Sequence, residues 1–243
     1  MTVLPRAILF DLDETLLSFG RRPLILVEVA EEFAAALAPL SPSAVAEALE
    51  THFRAFWDDP ERNKVWRFKL TAARLMMVRE VFQSLQSRAP GLTSELAEAF
   101  ATRFHGYREE QARFFPGALE AVDELKRRGV KLALVTNGSG EVQRAKIERF
   151  DLADRFEHIQ IEGEAGFGKP EEQAYLHAMA ALGVKAHETW MVGDNLEWEV
   201  AAPQRLGIYA IWHDHLGVGL PKDSLIRPDR IILSIGELTE NLG

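Results

Sequence analysis

Two short acidic segments stand where unpaired charge is costly. Asp11-Leu12-Asp13-Glu14-Thr15 follows the apolar run Ala7-Ile8-Leu9-Phe10, and Gly193-Asp194-Asn195 follows Trp190-Met191-Val192. Each apolar run reads as a buried strand, so each segment sets carboxylates at a strand end, in surroundings that disfavour lone charge. In an open parallel sheet, ligands bind at the carboxyl ends of strands. Asp11, Asp13 and Asp194 gathered there would offer hard oxygen donors for Mg²⁺. Two further polar segments lie between them: Val135-Thr136-Asn137-Gly138 after a third apolar run, and Gly166-Phe167-Gly168-Lys169-Pro170 ahead of a helix.

The elements that must position these residues follow from periodicity and punctuation. After the first strand, 15–22 reads as turn or loop. From Pro23 to about Gln111 the chain is rich in Ala, Leu, Glu and Arg at helical spacing. Ser41-Pro42, Asp58-Asp59-Pro60 and Ala89-Pro90-Gly91 divide this stretch into helices over about 24–38, 42–57, 61–87 and 93–111. Beyond Pro116 helices and strands alternate. Helices are expected near 117–128, 141–150, 171–182 and 197–206, with strands near 131–135, 157–161, 189–192, 208–212 and 230–233. Ser234-Ile235-Gly236-Glu237 has capping-box spacing for a last short helix. Strands separated by helices imply crossovers and a parallel sheet. The expected fold is α/β, a Rossmann-like parallel sheet core built from residues 1–20 and 112–243, with an α-helical cap inserted at 21–111.

The four polar segments, in this order, resemble the haloacid dehalogenase (HAD) superfamily, and specifically its phosphatase branch with a helical cap after the first motif. The resemblance covers the whole core; the cap matches in position and helical character. It implies a Mg²⁺-dependent hydrolysis of a small phosphomonoester through an aspartyl-phosphate. Asp11 would be the nucleophile, and Asp13 would protonate the leaving alcohol and then deprotonate the attacking water. Asp11, Asp194 and the backbone carbonyl of Asp13 would hold the metal. Thr136 would hydrogen-bond the phosphate, helped by backbone N–H groups around Asn137 and Gly138, and Lys169 would pair with the same phosphate. Without that cation, crowded carboxylates would raise one another's pKa values. Glu199 departs from the pattern, standing where the superfamily usually has Asp five residues after the metal-binding Asp. It is a further candidate metal ligand, reaching the ion directly or through water.

Plainer readings compete at each position. Asp11 and Asp13 alone could be turn residues, Thr136-Asn137-Gly138 an ordinary turn, and Lys169 a solvated loop residue; their order in the chain argues otherwise. The cap segment interleaves Phe53, Phe56, Trp57, Trp66 and Phe68 with Arg54, Arg62, Lys64 and Arg67. The aromatics read as packing between helices. Arg62, Lys64 and Arg67, just past a helix break, are substrate-binding candidates as well as solvated cations. His213 and His215 read as surface residues without metal spacing. Competing functions are a 2-haloacid dehalogenase-type hydrolase, which attacks carbon without a metal, a phosphomutase of the same superfamily, and a non-catalytic binding protein.

Composition sets the outer limits. The 243 residues carry a formal net charge of −9 with no block of Lys or Arg, which argues against nucleic acid or an anionic membrane as a partner. There is no cysteine, so disulfides, thiolate metal sites and a Cys nucleophile are excluded. No apolar run approaches the ~18 residues of a membrane helix. The N-terminal Met1-Thr2-Val3-Leu4-Pro5-Arg6 lacks the pattern of a signal peptide. A cytoplasmic monomer or small homo-oligomer acting on a small phosphorylated metabolite is the expectation.

Overall fold

The computed structural model describes residues 4–240. The reading of Met1–Val3 and the outermost ends of the expected core segments lie outside the described residues. The chain divides into two compact units, one formed by Met1–Ser18 with Arg113–Gly243 and the other by Phe19–Ala112.

The first unit begins with β1 (Ala7–Phe10), every residue of which is buried. The segment expected as loop at 15–22 contains a short strand, β2 (Leu17–Ser18). It pairs antiparallel with β3 (Arg113–Phe114), Leu17 opposite Phe114 and Ser18 opposite Arg113. Two-residue strands carry too little periodicity to be read from sequence.

The helical unit runs α1 (Arg22–Glu32), α2 (Ala34–Leu37), α3 (Pro42–Asp58), α4 (Pro60–Trp66), α5 (Leu70–Leu85) and α6 (Ser94–Glu110). Its core is aromatic, with Phe53 against Phe104 and Phe82 against Phe100, each pair with ring centroids 5.6 Å apart. Phe53 and Phe56 are buried there as packing, while Trp57 and Trp66 flank Phe56. Two expected helices are each broken. The 24–38 helix ends at Phe33, whose ring packs on Phe100, and resumes as a single turn. The 61–87 helix splits at Arg67–Lys69: α4, capped by the Asp59 carboxylate, buries no residue, whereas α5 buries Ala73, Met77, Val78, Val81 and Phe82. The apolar stripe that packs a helix starts only in the second piece.

The first unit resumes with α7 (Ala118–Arg127), β4 (Lys131–Thr136), α8 (Gly140–Arg149), β5 (His158–Ile161), α9 (Glu162–Ala165), α10 (Glu172–Leu182) and β6 (Thr189–Gly193). A π-helical turn (Leu196–Ala201), α11 (Ala202–Arg205), β7 (Tyr209–His213) and β8 (Arg230–Ile232) complete it, followed by a 3₁₀ turn (Ile235–Leu238) with a full Ser234–Glu237 capping box. The six-stranded sheet is parallel, ordered β5-β4-β1-β6-β7-β8. β1 lies where the winding reverses, with Phe10 level with Leu134 on one side and Val192 on the other. The ends of β1, β4 and β6 therefore open side by side, at the position where such sheets bind ligands. Among the described residues no helix is long and apolar enough to cross a membrane.

Candidate active site

Asp11, Asp13, Thr136, Lys169, Asp194 and Glu199 all belong to the sheet unit. Asp11 follows β1 directly, its N–H donating to the Val192 carbonyl at 3.0 Å. The chain then folds back on itself: Glu14 N–H donates to Leu17 O at 2.7 Å, and Glu14 adopts a left-handed φ of 60°. A non-glycine residue in that region is uncommon and marks a constrained turn. The buried Thr15 hydroxyl donates to Asp11 Oδ2 at 3.1 Å.

Lys169 is fully buried, with its Nζ 2.6 Å from Asp11 Oδ1 and 2.7 Å from Glu199 Oε1. Burial alone would lower the pKa of its ammonium, but the two carboxylates outweigh this and hold it above the ordinary value. The Glu199 carboxyl is pushed up to about 7, chiefly by burial and in part by the Asp11 charge; Lys169 and the Asn195 N–H oppose the rise. The Asp194 carboxyl stands well above the usual range, first through burial and then through the charges of Glu199, Asp11 and Glu14. Carboxylates outnumber cations here, and the mutual repulsion is large.

Glu199 owes its inward position to the π-helical turn. Asn195 Oδ1 caps the N–H groups of Glu197 and Trp198 at 3.0 Å, and Glu199 Oε2 returns to accept from Asn195 N–H at 2.8 Å. Tyr175 OH donates to the Trp198 carbonyl and secures the turn. The expected regular helix at 197–206 is thus widened where it carries a site residue, as π turns commonly are. Both Glu199 oxygens are engaged, one by Lys169 and one by a backbone N–H.

Asn137 and Gly138, whose backbone N–H groups are expected to face the phosphate, also make contacts within the protein. The Asn137 side chain clamps the Lys169 backbone, accepting from its N–H at 2.9 Å and donating to its carbonyl at 2.7 Å. Gly138 N–H donates to the buried Glu162 carboxylate at 3.2 Å. Thr136, the last residue of β4, is buried, and Gln143 Nε2 donates to its hydroxyl. Asp13 is bound by Lys146 Nζ, 2.8 Å from Oδ1 and 2.7 Å from Oδ2, and by Gln143 Nε2, 3.2 Å from Oδ2. Sequence reasoning missed Gln143 and Lys146. On a polar helix they read as solvated residues, and their one signal was a three-residue spacing that sets both on one face of α8.

Arg62, Lys64 and Arg67 lie in the helical unit. Arg62 pairs with Asp59 at 3.5 Å, and its guanidinium lies 5.4 Å from the Phe56 ring centroid. Lys64 is exposed, and Arg67 stacks over Phe68. His213 corrects its surface assignment: at the end of β7 it is buried, its ring centroid 4.9 Å from that of Phe115. Burial first, and His215 second, hold its imidazole down to about 4. Among the described residues, no three His, Asp or Glu side chains gather into a metal-holding group.

The family model of haloacid dehalogenase-like hydrolases matches residues 5–207, and the chain belongs to that family. A phosphoserine phosphatase of Thermus thermophilus is 36% identical over 188 residues, which cover 76% of this chain and 66% of that protein. A ribulose-1,5-bisphosphate 5-phosphatase of Halopiger xanaduensis is 31% identical over 63% of this chain and 65% of its own length. The chain thus spans about two thirds of the length of these curated relatives. Among solved structures, a Bacillus subtilis HAD-hydrolase bound to magnesium superposes with a TM-score of 0.71 at 22% identity, over 97% of each chain. At that identity the likeness establishes the fold.

Proposed function

We propose that this chain is a Mg²⁺-dependent phosphatase that hydrolyses a small phosphomonoester through a phosphoryl group carried on Asp11. The observation that carries the reading is the Asp11–Lys169–Glu199 arrangement, a buried carboxylate with its lysine held in place by a second carboxylate. The phosphatase names of the relatives support it.

Asp11 attacks phosphorus, forming an Asp11 O–P bond as the bond to the leaving oxygen breaks. Asp13 delivers a proton to that oxygen, then takes one from the water that attacks the aspartyl-phosphate and releases inorganic phosphate. Thr136 and Lys169 bind phosphoryl oxygens through both steps. Glu199 keeps Lys169 in position and, through its remaining lone pairs, is a further candidate ligand of the metal, directly or through water. The donor set fits a hard divalent cation: the Asp11 and Asp194 carboxylates and the Asp13 backbone carbonyl would hold it, and only two acidic side chains are required. Burial first, and then the charges of Glu199, Asp11 and Glu14, raise the Asp194 pKa, and a cation there would offset that charge. Bound there, Mg²⁺ supplies charge neutralisation to the phosphoryl group. The helical unit serves as the cap, with Arg62, Lys64 and Arg67 as substrate contacts, in a cytoplasmic monomer or small homo-oligomer.

The test is phosphate release from a panel of phosphomonoesters, including phosphoserine, with Mg²⁺ or EDTA. Activity should require the metal and fall at least ~10³-fold in Asp11→Asn. Normal phosphate release by that variant ends the proposal.

A further inference from the structure

We infer that Gln143 and Lys146 are positioning residues that hold the Asp13 carboxyl for proton transfer and couple it to the phosphate-binding Thr136. The inference rests on the phosphatase reading and extends it to side chains outside the superfamily motifs.

Both residues project from one face of α8, three positions apart, and both are buried. A buried Lys or Gln is costly unless its polar atoms are satisfied. Lys146 turns its ammonium to both Asp13 oxygens, and Gln143 gives one amide nitrogen to both Asp13 and Thr136. Two groups assigned to different tasks, proton transfer and phosphate binding, thus share a single donor. The backbone around Asp13 is pinned from the other side by the Glu14–Leu17 turn.

The two carboxyl oxygens are not equivalent. Oδ2 receives both Lys146 and Gln143, whereas Oδ1 receives Lys146 alone. Gln143 thus adds to Oδ2 a contact that Oδ1 lacks, and together with Lys146 it fixes the plane of the carboxyl. The proton leaves the Asp13 carboxyl for the leaving oxygen as its bond to phosphorus breaks, and one returns to it from the attacking water. The Asp13 side chain keeps about a third of its surface exposed, so without these contacts it would rotate among solvated orientations.

The experiment compares kcat/KM, which reports the first phosphoryl transfer, for two esters. Phosphoserine has an alkoxide leaving group that needs the proton; p-nitrophenyl phosphate has a leaving group that scarcely does. Lys146→Met should lower kcat/KM on phosphoserine by ~10–100-fold and on p-nitrophenyl phosphate by less than ~3-fold; Gln143→Leu, which also frees Thr136, should lower both but phosphoserine at least ~5-fold more. Lys146→Arg, which restores a cation, should recover most of the loss. Equal fractional losses on the two esters, or a gain on phosphoserine, overturn the inference. If Lys146→Met does not fold, Gln143→Leu decides by the same ratio. Wild-type turnover and its loss in Asp11→Asn report separately on the phosphatase reading.

Discussion

A Cβ placed on Gly193 would stand 2.0 Å from Cγ of Glu199. The last residue of β6 is therefore glycine because a glutamate side chain crosses over it to reach Lys169. Gly193→Ala must displace that side chain and with it the lysine's second partner. Such overpacking costs about 2 kcal/mol, read as a lower urea midpoint, and activity should fall further than stability. Gly207 makes the control: its added Cβ meets nothing within 4 Å, and only its φ of 80° opposes a side chain.

The buried Lys169 and its two carboxylates predict a non-additive pair. Lys169→Met strands Asp11 and Glu199 together and should destabilise the chain by roughly 3–5 kcal/mol. Adding Glu199→Leu removes one stranded charge and should return part of that loss, while activity stays absent. Chemical unfolding of the two singles and the double closes the cycle; strict additivity would contradict the arrangement.

Asp194 predicts opposite effects on stability and on metal response. Its carboxyl is crowded by Glu199, Asp11 and Glu14 in a buried setting. Asp194→Asn relieves that repulsion and should raise the Tm of the metal-free chain. Saturating Mg²⁺ should raise the Tm of the wild-type chain through binding to the folded state, and should leave the variant nearly unshifted. Thermal melts with and without Mg²⁺ read both effects.

His213 predicts a pH dependence of stability. Its imidazole sits at about 4 in the fold, against the ordinary 6.5, held down first by burial and second by His215, with Asp214 opposing. Because the folded value is depressed, the unfolded chain takes up a proton first as pH falls. The neutral imidazole's contribution is intact above about pH 6.5 and is lost between there and about pH 4. Going from pH 7 to pH 5 should cost about 2 kcal/mol through this residue. His213→Leu should show a correspondingly shallower decline in urea unfolding.

Much of this was legible in the sequence, for identifiable reasons. Ala7–Phe10 and Trp190–Val192 are apolar runs that give way within two residues to carboxylates, an edge that reads as the end of a buried strand, and both are strands of the sheet. Ser41, Asp59 and the Ser234–Glu237 box cap helices as their residue types require. The hidden parts share a different cause. Gln143, Lys146 and Glu162 look like solvated polar residues until tertiary packing buries them. The break at Arg67–Lys69 has no Gly or Pro to announce it; it is set by where the apolar stripe begins. The π turn at Leu196–Ala201 arises from Glu199 folding back on Asn195, a contact with no period of its own.

The β2–β3 pair has a consequence for how this chain can change. Leu17 opposite Phe114 and Ser18 opposite Arg113 fasten the departing and returning backbone to each other. Everything strung between Phe19 and Ala112 hangs from that clasp. An exchange, lengthening or redesign of the intervening helices need not shift a single rung of the parallel ladder, because the join is closed before the insertion starts. The helical stretch and the sheet are in this way separately replaceable parts of one polypeptide.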